Sequence, residues 1–324
     1  MSGLIKEISI RDMEGVSIGH ARNEEAKTGV SVIYFKNGAQ AGCDISGGGP
    51  ASRETPLTSP LTADNPLNAV VLSGGSAYGL AASDGVMKCL EENGIGYNTG
   101  NALVPLVCQS CIYDLGYGKS DVRPDAAMGY EACKKALECC DDSMGNVGAG
   151  TGASVGKLMG MKQATKSGLG IYAIQIGTLK IAAVVAVNAF GDIFNPENGQ
   201  KVAGLLDPTR KVFIDLEQAF LSFMSVPKDL FNSNTTIGCI ITNAKFDKAK
   251  LNKIASMTRN AYARCINPVG TMADGDSIYA CSVGEVVSDV NLVGTLSAKV
   301  MQKAILKAIE SSKLGNEEYL KYCL

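Results

Sequence analysis

The chain has 324 residues, enough for one large domain or two ordinary ones. Thirty Lys and Arg against 32 Asp and Glu leave a net charge of -2, which gives no basis for binding nucleic acid or an anionic membrane surface. No apolar run approaches the roughly 18 residues of a membrane span, and Met1 to Glu7 lacks the charged-then-apolar order of a signal peptide. Eleven cysteines, an odd number in a chain without that signal, point to reduced thiols and a cytoplasmic protein.

Thr28 to Phe35 alternates as a strand, and Gln40 to Ile45 reads as its hairpin partner across Lys36-Asn37-Gly38-Ala39. The single His20 falls in an apparent turn before it and is read as structural, so catalysis through imidazole is not expected. Residues 46–68 read as a loop and Ala69 to Leu72 as a short buried strand. Ser73-Gly74-Gly75-Ser76 leads into a helix with apolar positions at Leu80, Val86, Met87 and Leu90. Cys108 and Cys111 have CxxC spacing, but no second pair or His cluster accompanies them, so neither zinc nor any cofactor is expected. Asp125 to Cys140 reads as a second helix and Asn146 to Gly160 as a glycine-rich loop.

Ser167–Ile176 and Leu179–Asn188 form a hairpin turned by Gly177-Thr178. Residues 191–234 are polar, with one amphipathic segment near Phe213–Met224, and Lys228 to Thr236 reads as an exposed linker. Beyond it come a strand at Cys239–Asn243, a helix at Lys248–Arg264, a loop at Asn267–Gly275, a strand at Ser277–Val283 and a helix at Val290–Ser311. Strands and helices fall in separate groups with few βαβ alternations, which favours a layered α/β sandwich with mixed or antiparallel sheets.

The glycine-rich loop Gly148-Ala-Gly-Thr-Gly-Ala-Ser-Val-Gly-Lys157 fails the P-loop pattern at Thr151 and Leu158. It reads instead as a loop whose backbone, at Gly150, approaches a substrate, with Lys157 as a cationic or proton-shuttling group. At Gly238-Cys239 a flexible residue precedes a thiol that opens an apolar β-type run, the layout of a self-cleaving precursor. Attack of the thiol on the Gly238 carbonyl would leave Cys239 as an N-terminal nucleophile with its own α-amine as base. Ser76 lacks Gly-x-Ser-x-Gly spacing and is read as a helix N-cap lining the site.

The chain resembles the L-aminopeptidase/D-esterase (D-amidase) family, which includes β-peptidyl aminopeptidases and nylon-oligomer hydrolases. The resemblance is carried by Gly19-His20-Ala21 with Thr28-Gly29-Val30, Ser73 to Ala82, Ile112-Tyr113-Asp114-Leu115, Gly148 to Gly152 with Gly156-Lys157, Val187 to Asp192, Asn234 to Gly238 and Asp274-Gly275-Asp276. It implies a single four-layer αββα sandwich of N-terminal-nucleophile type over residues 1–324. It also implies autoproteolysis between Gly238 and Cys239 into chains 1–238 and 239–324, and a homo-oligomer, a tetramer of processed pairs. The implied activity is metal-free hydrolysis of N-terminal residues from small peptides, amides or esters through a Cys239 acyl-enzyme.

Position by position, the resemblance makes Cys239 the nucleophile and Asn188 the group that polarises the scissile carbonyl. It sets Lys157 near the nucleophile, has Asp274 and Asp276 orient nucleophile and amine, and puts Tyr113 on the site wall. Family nucleophiles are usually Ser or Thr, so Cys239 is a departure. The same architecture is compatible with an acyltransferase, or with a non-catalytic binding protein.

Overall fold

The computed structural model describes residues 4–222 and 234–324. Nine strands carry the frame: β1 (Lys6–Ile8), β2 (Val16–Asn23), β3 (Thr28–Ile45), β4 (Leu67–Ser73), β5 (Val107–Cys111), β6 (Leu169–Ile176), β7 (Leu179–Asn188), β8 (Thr235–Ala244) and β9 (Ser277–Val286). The helices are α1 (Ala82–Glu92), α2 (Ala126–Glu138), the short α3 (Leu216–Leu221), α4 (Lys248–Cys265), α5 (Val290–Glu310) and α6 (Asn316–Leu320).

One sheet runs β1-β6-β7-β8-β9 and ends on the second half of β3. The other runs from β2 through the first half of β3 to β4 and β5. All pairings are antiparallel except β8 with β9 and β4 with β5. Three apolar layers explain the stacking. Ile18, Ile33, Leu72, Val184, Ile237 and Ile241 meet between the sheets. Val185, Ile240 and Ile278 face α4 and α5 through Leu251, Ile254 and Met301. Val32 and Val71 face α1 and α2 through Val86, Leu90 and Ala132. The order helix, sheet, sheet, helix is the expected αββα sandwich, since each sheet has two apolar faces to cover. No helix among the described residues is long and apolar enough to cross a membrane.

The 167–188 hairpin forms as read, with Ile176 opposite Leu179. The Thr28–Ile45 region does not form a hairpin. It is one strand of 18 residues, and Lys36-Asn37-Gly38-Ala39 marks the register shift where it leaves one sheet for the other. His20 lies within β2 opposite Ser31, not in a turn. Asn234, Thr235 and Thr236, read as linker, are buried, and Thr235 starts β8 four residues ahead of the expected strand. The rest of that linker and Met224 lie outside the described residues; of the amphipathic segment, Leu216–Leu221 is helical. Ser76 does not cap a helix through its side chain. It opens a 3-10 turn with φ at +54°, and Gly75 takes the cap position.

Close helix approach depends on glycine in the strands. A Cβ on Gly170 of β6 would lie 1.9 Å from the Ala304 carbonyl oxygen of α5. Gly170→Ala is therefore expected to destabilise the fold by about 1–3 kcal/mol through forced separation of helix and sheet, read as a lower denaturant midpoint at unchanged slope.

Candidate active site

Strand directions gather the site. β7 is antiparallel to β8, and β8 is parallel to β9. The C-terminal end of β7 and the N-terminal ends of β8 and β9 therefore share one edge. Asn188 is the last residue of β7 and pairs with Thr235, the first of β8. Asn234 bridges Asp274, and Asp276 immediately precedes β9. Lys157 enters from the loop after Ser154-Val155, its N–H bonded to the Phe190 carbonyl at 3.2 Å.

All of these groups are buried: Lys157 is 8% exposed, Asp274 and Asp276 1%, Asn188 0%, Thr235 4%. Lys157 Nζ donates to the Asn188 carbonyl and to Asn188 Oδ1, both at 3.0 Å. Asn188 Oδ1 also accepts the Ser154 N–H at 3.1 Å, and Nδ2 donates to the Tyr113 carbonyl at 2.7 Å. The amide orientation is thus fixed from both ends, by donors on its oxygen and an acceptor on its nitrogen.

The acidic pair is held by backbone. Asp276 Oδ1 accepts the Thr236 N–H at 2.6 Å and Oδ2 the Gly270 N–H at 3.1 Å. Asp274 Oδ2 accepts the Thr271 N–H at 2.9 Å and its hydroxyl at 2.7 Å. Burial, then the charge of Asp274, pushes the Asp276 carboxyl up to about 7. Burial pulls the Lys157 ammonium down to about 7 against the opposing pull of Asp274, Asp114 and Asp276. Asp276 and Lys157 thus both change charge near neutrality.

At the front of β8, Thr235 Oγ1 donates to the Asn234 carbonyl oxygen. The same oxygen accepts the Gly275 N–H at 3.1 Å. A hydroxyl and a backbone N–H therefore converge on one peptide carbonyl oxygen. Asn234 itself is 3% exposed, and neither polar atom of its side chain has a partner among the described residues.

The structure does not bring Cys239 to this cluster. It lies four residues along β8, roughly 13 Å away at ~3.3 Å per residue. It shares the inter-sheet face with Ile237 and Ile241 and is 0% exposed. Its Sγ lies 3.8 Å from Cys281 Sγ and 3.7 Å from the Ile240 carbonyl, with no carboxylate or amine among those partners. Gly238 points the other way, where a Cβ would meet Tyr262 Oη at 2.8 Å and the Met301 methyl at 2.9 Å, so helix packing accounts for the glycine.

Gly150 is buried, and a Cβ there would lie 2.1 Å from the Leu169 nitrogen; its constraint is packing on β6. Tyr113 joins the cluster through its carbonyl. Ser76, half-buried, is tied by its N–H to the Ile112 carbonyl at 2.9 Å. His20 belongs to the other sheet, with Nδ1 2.9 Å from Ser31 Oγ, and burial pulls its imidazole down to about 4. Cys108 and Cys111 are buried in β5, and no metal-competent group of His, Cys, Asp or Glu occurs among the described residues.

Sequence reasoning missed Thr235, Asp114 and Lys166. Asp114 is 4% exposed and accepts the Thr28 hydroxyl and the Gly75 N–H, both at 2.7 Å. Its signal was the lone acid in Ile112-Tyr113-Asp114-Leu115. For Thr235 the signal was a hydroxyl pair directly ahead of an apolar run.

A family model for peptidase family S58 matches residues 9–314. An uncharacterized aminopeptidase of Mycobacterium leprae (strain TN) is 34% identical over 294 residues, covering 86% of this chain and 79% of its own. A 6-aminohexanoate-oligomer endohydrolase of Agromyces sp. (strain KY5R) is 32% identical over 315 residues, covering 92% of this chain and 84% of its own. Among solved structures, a beta-aminopeptidase of Burkholderia sp. superposes with a TM-score of 0.69 at 18% identity, covering 97% of this chain and 92% of that one. The L-aminopeptidase D-Ala-esterase/amidase of Ochrobactrum anthropi, described as a variant of the Ntn hydrolase fold, gives 0.68 at 17%, with coverages of 94% and 86%. The extent of the family match and the likeness of the folds make this chain a member of peptidase family S58, a hydrolase on a variant of the N-terminal-nucleophile fold.

Proposed function

We propose that the chain is a self-processing amidase or aminopeptidase whose nucleophile is Thr235, released by cleavage between Asn234 and Thr235. The observation that carries this reading is the contact between Thr235 Oγ1 and the Asn234 carbonyl at the edge shared by Asn188, Lys157, Asp274 and Asp276. In the precursor, Thr235 Oγ1 attacks the Asn234 carbonyl carbon while the Gly275 N–H takes up charge on the carbonyl oxygen. Asp276 or neutral Lys157 accepts the hydroxyl proton, and that proton goes to the leaving nitrogen of Thr235. Water then cleaves the ester, giving chains 1–234 and 235–324.

In the processed enzyme the new α-amine, with an ordinary pKa near ~8, serves as base for Thr235 Oγ1. Asp274 and Asp276 hold the amine in its ammonium form when it has taken the proton. Asn188 Nδ2 donates to the oxyanion of a substrate amide or ester. The amine or alcohol leaves with the proton, and water resolves the acyl-Thr235 ester. The curated relatives, an aminopeptidase and an oligoamide hydrolase by name, support small peptides and ω-amino acid amides as the substrate class. Cys239 is assigned a packing role in this reading.

Intact denatured mass tests the junction. Two species breaking between Asn234 and Thr235 are expected. Thr235→Ala should stay a single inactive chain, whereas Cys239→Ala should still be cut and still hydrolyse an amino-acid anilide. A break between Gly238 and Cys239, or loss of cutting in Cys239→Ala with its fold intact, would return the role to the thiol.

The proton acceptors make a second expectation. Asp276, raised to about 7, is neutral at pH 6 and charged at pH 8; Lys157, lowered to about 7, is ammonium at pH 6 and amine at pH 8. Both changes create a base over the same interval. Processing of precursor synthesised in vitro should therefore accelerate from pH 6 to 8 and then level off, and Asp276→Asn should slow it at least roughly 100-fold. A rate that falls over that interval contradicts these groups as the acceptor.

A further inference from the structure

Lys166 has no place in the reaction above, yet it is only 4% exposed and carries an ammonium group into the interior. Its Nζ donates to the carbonyls of Ala153 at 2.9 Å, Gly150 at 3.1 Å and Ser167. An ammonium has three donors and no acceptor, so this is a complete set. The Tyr117 ring closes the site from 5.7 Å. Burial pulls Lys166 down to about 7, with the charge of Asp114 acting in the opposite direction. Three carbonyl dipoles converging on one nitrogen also favour the charged form.

The Ala153 carbonyl and the Ser154 N–H belong to one peptide unit. Its oxygen accepts from Lys166, and its N–H donates to Asn188 Oδ1 at 3.1 Å. A cation on the oxygen of an amide polarises the unit and strengthens its N–H as a donor; in a buried chain of hydrogen bonds the effect passes to the next amide. That next amide is the Asn188 side chain. One Nδ2 proton is spent on the Tyr113 carbonyl, which leaves the other for an oxyanion. The far end of the same loop is also fastened, because the Ala149 N–H donates to Ser31 Oγ at 3.1 Å and His20 Nδ1 is 2.9 Å from that oxygen.

We infer that Lys166 is a positioning residue for catalysis, which orients and polarises the Asn188 side-chain amide through the Ala153–Ser154 peptide. The inference rests on the reading of Asn188 as the oxyanion donor. It explains a feature that packing alone does not. An apolar side chain filling the same space would leave three carbonyls unpaired and a neutral amide, with two N–H donors, would leave one, so the loop is built around a buried charge in spite of its desolvation cost.

The test is a double-mutant cycle on processed enzyme, with processing verified by mass and the fold by thermal unfolding. The substrate is an amino-acid p-nitroanilide. Lys166→Met should lower kcat about tenfold with KM unchanged. Asn188→Ala should lower kcat roughly 10²–10³-fold. In the Asn188→Ala background, Lys166→Met should add nothing further. The Asn188 side-chain NH₂ resonances should move upfield in Lys166→Met, a change that simple loosening of the loop would not produce with kcat alone affected. Losses that multiply fully across the cycle, or unmoved resonances, overturn the role of Lys166. Full kcat in Asn188→Ala overturns the underlying reading of Asn188 instead. If Lys166→Met does not fold, Lys166→Gln keeps two N–H donors without the charge; wild-type kcat in that variant likewise overturns the proposal.

Discussion

The structure depends on shutting the Lys157 amine and three carboxylates away from water where the ends of the two sheets meet. Lys157, Asp114, Asp274 and Asp276 are all under a tenth exposed. An isolated buried charge costs several kcal/mol, so such a group persists only if every member finds a donor or an opposite charge. The donors come from backbone. Gly75 serves Asp114, Thr271 serves Asp274, and Thr236 with Gly270 serves Asp276. The loops at this edge are therefore not free to choose their shapes. A second tier reinforces them: the N–H groups of Gly47, Gly48 and Gly49 bond the carbonyls of Asp276, Thr271 and Asp274. A Cβ on Gly47 would sit 2.3 Å from the Asp274 oxygen, so a run of glycines is what allows this strap to lie on the acidic loop. Electrostatic preorganisation of the kind that stabilises developing charge follows directly, because nothing here has to move to meet it.

The scaffold that permits this is the long strand β3. By passing from one sheet into the other it lets the two sheets share a strand while their apolar inner faces stack. Thr28, at its start, bonds Asp114, while its second half pairs with β9, the strand that follows Asp276. One strand thus links both sides of the buried charge cluster. The helices cover the outer faces and take no direct part, which is consistent with the strand glycines being devoted to their close approach.

Much of this was legible in the amino-acid pattern. The 169–188 hairpin, α4 and α5 follow from period and turn residues, and the layered class follows from how they are grouped. Lys157, Asn188 and the Asp274–Asp276 pair were singled out and do converge. What failed has a common cause. Lys36-Asn37-Gly38-Ala39 has the composition of a turn, but its neighbours on either side pair with different sheets, a fact of tertiary context that local pattern does not carry. Likewise Thr235-Thr236 reads as polar linker because hydroxyls and a preceding Asn imply solvent. Here both are buried, Thr235 with its hydroxyl on the Asn234 carbonyl and Thr236 with its backbone N–H on Asp276 Oδ1. Cys239 then looked like the start of the strand, when alternation from Thr235 puts it two steps into the apolar row. Lys166 gave no signal, since three backbone carbonyls in an irregular loop leave no trace in residue type.

On the proposed reading, cleavage does more than release an amine. In the uncut chain the Asn234 carbonyl sits on the Gly275 N–H and against the nucleophile, and its side chain fills a buried position with both polar atoms unpartnered among the described residues. Such a group costs about 1–3 kcal/mol. That cost falls on the precursor alone once the new C-terminus is free to withdraw, so the same residue that presents the scissile carbonyl also favours its own departure. The position it leaves is where a substrate's acyl group must lie to meet Thr235. An uncut chain is therefore blocked twice, by lacking the base and by occupying its own acyl site. Placing the thiol of Cys239 in that role would require neither constraint, and it would leave the buried acids of this edge without a function.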